Sequence, residues 1–187
     1  MPTSVRASSC AATDAGRDVS ADPPGATGSA LDERRQAAHA LIAEHLEQVV
    51  AAEPWVQTVE YDPELTRWYV RFGCDGRDAT TIYFDLHQRT LRYEVYFLPD
   101  PPARHLDLYR YALVHNHALY GAKFSVGHDG DLYLVGRVAL EHLTVEELDR
   151  IIGVLYETVD RCFPPAVRMA FGSRATPDRD ARDPGSG

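Results

Sequence analysis

Residues 109–163 read YRYALVHNHALYGAKFSVGHDGDLYLVGRVALEHLTVEELDRIIGVLYETVDRCF, and this stretch decides the fold. It predicts a helix, a β-hairpin and a second helix, in that order. A tyrosine-rich amphipathic helix ends at Tyr120-Gly121, and two alternating strands flank the turn at 127–130. A capped helix starts after Leu143. Because these local signals agree with one another, the segment favours a single architecture.

The polar and glycine positions of this stretch have structural explanations. Gly121 suits the left-handed cap that ends the first helix, and Asp129-Gly130 suits the hairpin turn. Gly136 is expected to mark a bulge in its strand. Asn116 is expected to hydrogen-bond the backbone of a strand or turn rather than a ligand, because most side-chain hydrogen bonds go to backbone or water.

Both helices show an apolar stripe at helical spacing. The last helix is expected to begin on a capping box of Thr144 and Glu147 and to end at Pro164-Pro165. The preceding helix is expected to begin near Ala103, and its stripe is expected to face the sheet or a partner. That stripe consists of Leu106, Tyr109, Leu113, His117 and Tyr120.

The N-terminal half predicts one helix and a meander of strands. The helix is expected to begin near Leu31, with Ser29 and Asp32 in capping-box positions, and to end at Pro54. Residues 55–61 have a strand-like composition. Residues 66–72, 80–86 and 90–98 alternate apolar and polar side chains, which predicts a three-stranded meander with one wet face.

These elements predict an α+β domain in which an antiparallel sheet carries helices mainly on one face, in the order α-β-β-β-α-β-β-α. The domain is expected to span residues 31–172. Residues 1–30 and 173–187 are rich in small and polar residues and are expected to be disordered tails.

Composition limits the location and the partners of the chain. The formal net charge is −9, and basic residues are interleaved with acidic ones, so nucleic acid is not an expected partner. No apolar run reaches the roughly 20 residues that span a bilayer, so no membrane partner is expected. Three cysteines, Cys10, Cys74 and Cys162, without metal-ligand spacing indicate a reducing, cytoplasmic location.

The chain resembles the YbjN family of bacterial proteins, and its actinobacterial members in particular. The resemblance covers roughly residues 55–171 and rests on the strings NHALYG (116–121), GDLYLVGRVAL (130–140) and VEELDRIIG (145–153). It implies the fold of type III secretion chaperones. It also implies a domain that holds a segment of another protein and that forms a homodimer.

No catalytic or metal site is predicted, and no cofactor is expected. His115 and His117 are the strongest metal candidates, but residues two apart on a helix point in nearly opposite directions. No nucleophile signature accompanies Ser125, Cys74 or Cys162, and a buried structural thiol is expected at Cys162.

The expected function is therefore non-enzymatic binding of a protein or peptide client. The client is expected to lie on the open sheet face or along a sheet edge, where backbone pairing gives affinity and side-chain pockets give specificity. Tyr69, Tyr96, Tyr133 and Arg137 are the expected contacts. The dimer interface is expected at Tyr109, Leu113 and Tyr120. A small-ligand-binding regulator and a histidine-dependent metal enzyme remain alternatives.

Overall fold

The structure is a computed structural model that describes residues 24–74 and 76–172. The parts of the expected tails at residues 1–23 and 173–187 lie outside this range. The described residues form three α-helices, six β-strands and one short 3₁₀ turn at Leu140–His142. In chain order the helices and strands are α1 (Pro24–Ala52), β1 (Val56–Asp62), β2 (Arg67–Cys74), β3 (Arg77–Leu86), β4 (Thr90–Leu98), α2 (His105–Asn116), β5 (Ala122–Val126), β6 (Leu132–Ala139) and α3 (Val145–Phe171).

The six strands form one antiparallel sheet in the order β1-β2-β3-β4-β6-β5. This confirms the predicted α+β class. The sheet has one strand more than the predicted order, because β1 pairs along its length with β2, from Val56 opposite Phe72 to Asp62 opposite Arg67. The strand-like composition of residues 55–61 therefore correctly indicated a strand of the sheet.

Alternation along the strands separates a buried face from an open face. Side chains on the buried face pack against the helices and form the core, where burying each large side chain is worth ~1.5–3 kcal/mol. From the helices, Ile42, Leu46, Leu108, Leu155 and Val159 are fully buried against this face. The buried strand side chains include Trp68, Val70, Phe72, Ile82, Phe84, Leu91, Tyr93, Val95, Phe97, Leu132 and Leu134.

The first and last helices are longer than predicted. α1 begins at Pro24 rather than near Leu31, so residues 24–30 are helical. Proline suits a first helical position because its missing N–H has no partner there anyway. Ser29 consequently lies inside the helix, where its hydroxyl donates to Glu33 Oε1 at 3.0 Å instead of capping.

The prediction that Pro164-Pro165 ends the last helix was wrong. α3 continues to Phe171, and Ala166 and Ala170 are buried in the core beyond the two prolines. Proline removes a backbone donor and clashes with the preceding turn. We attribute the continuation to the core packing of this last segment, which offsets that loss. The start was predicted correctly, since the Thr144 hydroxyl accepts from the Glu147 N–H at 3.2 Å.

Helix α2 buries a different face from the predicted stripe. Leu108 and Ala112 face the core, whereas Leu106, Leu113 and Tyr120 point to solvent. These three residues therefore do not face the sheet, and Tyr120 lies beyond α2, which ends at Asn116 rather than at the predicted Tyr120-Gly121.

Gly136 does not mark a bulge. It pairs regularly with Tyr93 and with Ala122, and the register shift between β4 and β6 lies at Tyr96/Leu98. A Cβ at this position would overlap the Tyr93 ring and the carbonyl oxygen of Gly121. Glycine is therefore required by the close approach of two neighbours.

Candidate functional site

The four residues predicted to contact a client all lie on the open face of the sheet. Tyr69 is opposite Tyr83, Tyr96 is opposite Tyr133, and Arg137 is opposite Arg92 in the strand register. The three predicted tyrosines are half-buried and Arg137 is exposed. The structure brings Tyr96 and Tyr133 into contact but leaves Tyr69 on β2, where it packs edge-on against Tyr83 with ring centroids 5.5 Å apart.

Tyr96 and Tyr133 form the aromatic centre of this face. Their rings meet edge to face with centroids 5.5 Å apart, and such a pair contributes ~0.5–1.5 kcal/mol beyond its area. The Tyr133 hydroxyl donates to Asp129 Oδ2 at 3.1 Å. Partial burial and this hydrogen bond raise the pKa of Tyr133 to about 12. Tyr133 is therefore a neutral, positioned side chain at physiological pH.

Arg77 supports the Tyr96 side of the pair. Its guanidinium donates to the carbonyls of Tyr96 and Phe97 at 2.9 and 3.1 Å and lies 4.9 Å from the centroid of the Phe163 ring. Burial lowers the pKa of Arg77. These contacts hold the end of β4 near Tyr96, where the register between β4 and β6 shifts.

A row of charged side chains crosses the same face. Arg67 binds Asp85 with two hydrogen bonds of 2.5 and 3.1 Å, and Arg92 approaches Asp85 at 3.6 Å. Arg92 also pairs with Glu94. Arg137 is the next residue in the row, yet it makes no hydrogen bond or ion pair with any residue that the structure describes.

A trough of about 1180 Å³ lies over the open face of β4, β6 and β5. Tyr133 and Val135 are among the side chains that line it, and Arg92, Arg137 and Lys123 line it with positive charge. Sequence reasoning missed Lys123 and Arg92. Their only signal was the alternation that places them on the same face as Arg137, and the pairing of β4 with β6 is not readable from the sequence.

The three residues predicted to form a dimer interface lie at or beside α2. Leu113 is 68% exposed and Tyr120 is 74% exposed, while Tyr109 is half-buried. Between α2 and β5 runs an apolar groove of about 300 Å³. The exposed Val126 and the side chain of Phe124 line this groove together with Tyr109 and Leu113.

Asn116 closes part of the β5 edge of the sheet. Its Nδ2 donates to the Phe124 carbonyl at 3.2 Å, and its Oδ1 accepts from the Phe124 N–H at 2.7 Å. The prediction that Asn116 binds strand backbone is confirmed. These two bonds occupy the groups of Phe124 that an added strand would need, which is one way to protect an exposed edge.

Arg150 holds the segment between α2 and β5 in place. It binds Glu147 with bonds of 2.6 and 2.7 Å, donates to the Tyr120 carbonyl at 3.0 Å, and lies 4.7 Å from the Tyr120 ring centroid. Gly121 has a φ of 78°, and a Cβ there would come within 2.7 Å of Arg150. These contacts join residues 116–121 to residues 145–153, two of the segments on which the resemblance to the YbjN family rests. Their role is structural.

Of the histidines and thiols considered for chemistry, His115 and Cys162 occupy structural positions. His115 Nδ1 lies 2.9 Å from the Tyr111 carbonyl, whereas His117 is exposed at the end of α2. Cys162 is fully buried in the core. Within residues 24–74 and 76–172, no group of three or more His, Cys, Asp or Glu side chains is placed to hold a metal ion.

None of the helices described here is both long and apolar enough to cross a bilayer.

Relatives in mycobacteria match part of the chain. An uncharacterized protein of Mycobacterium tuberculosis is 34% identical over 86 residues, which are 46% of this chain and 47% of that protein. An uncharacterized protein of Mycobacterium leprae is 27% identical over 118 residues, which are 63% of this chain and 64% of that protein. The match thus spans about half the length of the first relative.

Two solved structures resemble the chain at low sequence identity. The HopA1–SchA chaperone–effector complex contains a chain that matches with a TM-score of 0.45 and 14% identity, over 65% of this chain and 91% of that one. The Yersinia pestis type III secretion chaperone SycH, solved with a stable fragment of YscM2, matches with a TM-score of 0.40 and 13% identity, over 62% of this chain and 94% of that one.

A family model covers most of the described fold. The model described as "Putative bacterial sensory transduction regulator" matches residues 43–167, a range that begins within α1 and ends within α3. This range includes all six strands and both sides of the Asn116 and Arg150 contacts. The chain belongs to the YbjN family.

Proposed function

We propose that this chain is a non-enzymatic binding domain, chaperone-like or regulatory, that holds an extended segment of a partner protein on the open face of its sheet. The observation that carries the proposal is the exposed trough beside the Tyr96–Tyr133 pair, on a face that no helix of the described chain covers. A positioned aromatic pair next to an arginine is typical of protein-binding surfaces.

The two edges of the sheet differ in their suitability for strand addition. At β5, Asn116 already occupies both backbone groups of Phe124. β1 forms the opposite edge. If the partner segment also adds a strand, we place that strand along β1 rather than β5.

We also propose that two copies pair through α2, with Tyr109, Leu113 and Tyr120 in the interface. The exposed apolar side chains of this helix support the pairing, since large exposed leucine and valine side chains on one surface are characteristic of interaction sites. We place the protein in the cytoplasm, where reducing conditions keep Cys74 and Cys162 as thiols.

The client-binding proposal is tested by gentle purification from the native host followed by native mass spectrometry. We expect a retained protein or peptide with the wild type and its loss with the double variant Tyr96→Ala/Tyr133→Ala. Tyr61→Ala is the matched control, because Tyr61 is an exposed tyrosine on the helix-bearing face. Equal retention by the double variant and the control would contradict the proposal.

A small-ligand-binding regulator is a second candidate, and one cavity favours it. A groove of about 400 Å³ between α1 and α3 is lined by Trp55, the buried His45 and Asp149, and His45 Nε2 lies 2.7 Å from Asp149 Oδ1. Gly153 leaves open space in this groove. Thermal stabilisation by a compound in a ligand screen, abolished in Gly153→Leu, would support this function.

A further inference from the structure

The charges in the trough are not balanced by the protein itself. In the row that crosses β2, β3, β4 and β6, three guanidiniums, those of Arg67, Arg92 and Arg137, face two carboxylates, Asp85 and Glu94. The two carboxylates are engaged by Arg67 and Arg92. The last guanidinium therefore has no counter-charge among the described residues.

Arg137 lies directly opposite Arg92 across β4 and β6. Like charges directly opposite each other on a sheet destabilise it. A carboxylate placed between the two guanidiniums from outside would remove that repulsion. Because Arg92 is already paired with Asp85 and Glu94, Arg137 is the guanidinium of the two that is open to an added anion.

Lys123 adds a second free cation to the same trough. It is exposed, it lies opposite Val135 on β6, and the described chain gives it no hydrogen bond or ion pair. The remaining carboxylate of the trough, Asp129, accepts the Tyr133 hydroxyl and forms no ion pair with Lys123. Val135 and the Tyr133 ring supply an apolar floor between the cations.

We infer that the trough takes an extended acidic segment of a partner protein, with carboxylates on Arg137 and Lys123 and apolar side chains on Val135 and Tyr133. The inference rests on the proposed function and specifies the chemistry of its client. An extended chain suits the site because alternate side chains point the same way, so an acidic residue and an apolar residue two positions later both face the trough and reach neighbouring contacts. Electrostatic complementarity of this kind favours the acidic partner over others.

A nucleic acid is a poorer fit for the same cations. Its affinity depends on neutralising many phosphates at once, and this site offers two free cations on a chain whose formal net charge is −9. An acidic protein segment brings fewer charges and also uses the apolar floor.

The test compares three labelled peptides of about twelve residues, long enough at about 3.3 Å per residue to cross the strands of the trough. The probes are three repeats of Asp-Ser-Val-Ser, of Lys-Ser-Val-Ser and of Gln-Ser-Val-Ser, which place the charged or amide residue and valine on the same side of an extended chain, and binding is measured by fluorescence anisotropy. We expect the acidic probe to bind at least tenfold more tightly than either other probe. Its affinity should fall as salt is raised, because salt screens exposed charges.

The variants locate the binding. Lys123→Glu/Arg137→Glu should weaken the acidic probe at least tenfold, while Arg137→Lys should retain most of the affinity. Arg71→Glu is the matched control, because Arg71 is an exposed arginine on the same face but outside the trough. Unchanged thermal unfolding midpoints show that each variant is folded.

The outcomes separate this inference from the proposed function. Equal binding of acidic, basic and neutral probes, lost in Tyr96→Ala/Tyr133→Ala, would overturn the acidic preference and leave the binding function standing. Failure of all three probes to bind would overturn both. Tighter binding of a thymidine oligonucleotide than of the acidic peptide, lost in Lys123→Glu/Arg137→Glu, would overturn the assignment to a protein segment.

Discussion

Asn116 shows how one side chain connects a helix to the edge of a sheet. Its amide satisfies both backbone groups of Phe124, which is buried at the β5 edge. The sequence allowed this role to be predicted because most side-chain hydrogen bonds go to backbone or water. The strand that it binds was not identifiable, since it depends on how α2 packs beside β5.

We predict that Asn116→Ala lowers the free energy of unfolding by ~1–3 kcal/mol, because two hydrogen bonds are lost and buried backbone groups lose their partners. Urea unfolding followed by circular dichroism measures the change. His117→Ala, at an exposed neighbouring position, serves as control and should stay within about 0.5 kcal/mol of wild type. Equal stability of the two variants would show that the Asn116 bonds do not support β5.

Gly136 carries a second prediction at the scale of a single residue. A Cβ at position 136 would clash with the Tyr93 ring and the Gly121 carbonyl oxygen. We therefore predict that Gly136→Ala lowers the free energy of unfolding by ~1–3 kcal/mol. The Tyr93 hydroxyl bond to Gly121, 2.8 Å long, should be lost at the same time. A variant as stable as wild type in urea would show that the sheet relaxes easily around this position.

Among the elements, α3 and α2 mark where sequence reasoning succeeded and where it stopped. Thr144 and Glu147 form a local capping pattern that needs no tertiary information, and the helix begins there. Whether Pro164 ends the helix cannot be predicted from local sequence, because it depends on whether the residues beyond it pack into the core. In α2 the periodicity was correct for a helix, but choosing Leu108 over Leu106 as the buried position required the sheet.

Gly153 in α3 provides a prediction at the element scale. It lies inside the helix, and a Cβ there would meet nothing within 4 Å. We predict that Gly153→Ala raises the free energy of unfolding by ~0.4–1 kcal/mol, because alanine reduces the freedom of the unfolded chain without strain in the helix. A rise in the urea midpoint checks this. A fall in the urea midpoint would mean that a side chain at position 153 disturbs the packing around the groove between α1 and α3.

At the scale of the molecule, the sheet has one covered and one open face. Alternation in the strands predicted one wet face, and the structure shows that Tyr69, Tyr96, Tyr133 and Arg137 share it. It did not predict the trough, because the trough depends on the order β4-β6-β5 and on the way these strands lie together.

The pairing of two molecules through α2 gives a prediction at this scale. We expect wild type to sediment as a dimer and Leu113→Glu to weaken self-association at least tenfold, since burying a leucine is worth ~1.5–3 kcal/mol and 1.4 kcal/mol is a factor of ten. Leu65→Glu is the control, at a leucine that is 58% exposed between β1 and β2. A Leu113→Glu variant that sediments like wild type would place the contact elsewhere.

Cross-linking from a photoreactive phenylalanine analogue at position 133, compared with position 61, tests the central claim most directly. We expect position 133, in the native host, to cross-link to one extended segment of a partner protein, which peptide mass spectrometry identifies. Position 61, on the helix-bearing face, should give little of that adduct. The same adduct from both positions, or from position 61 alone, would contradict a binding site on the open face of the sheet.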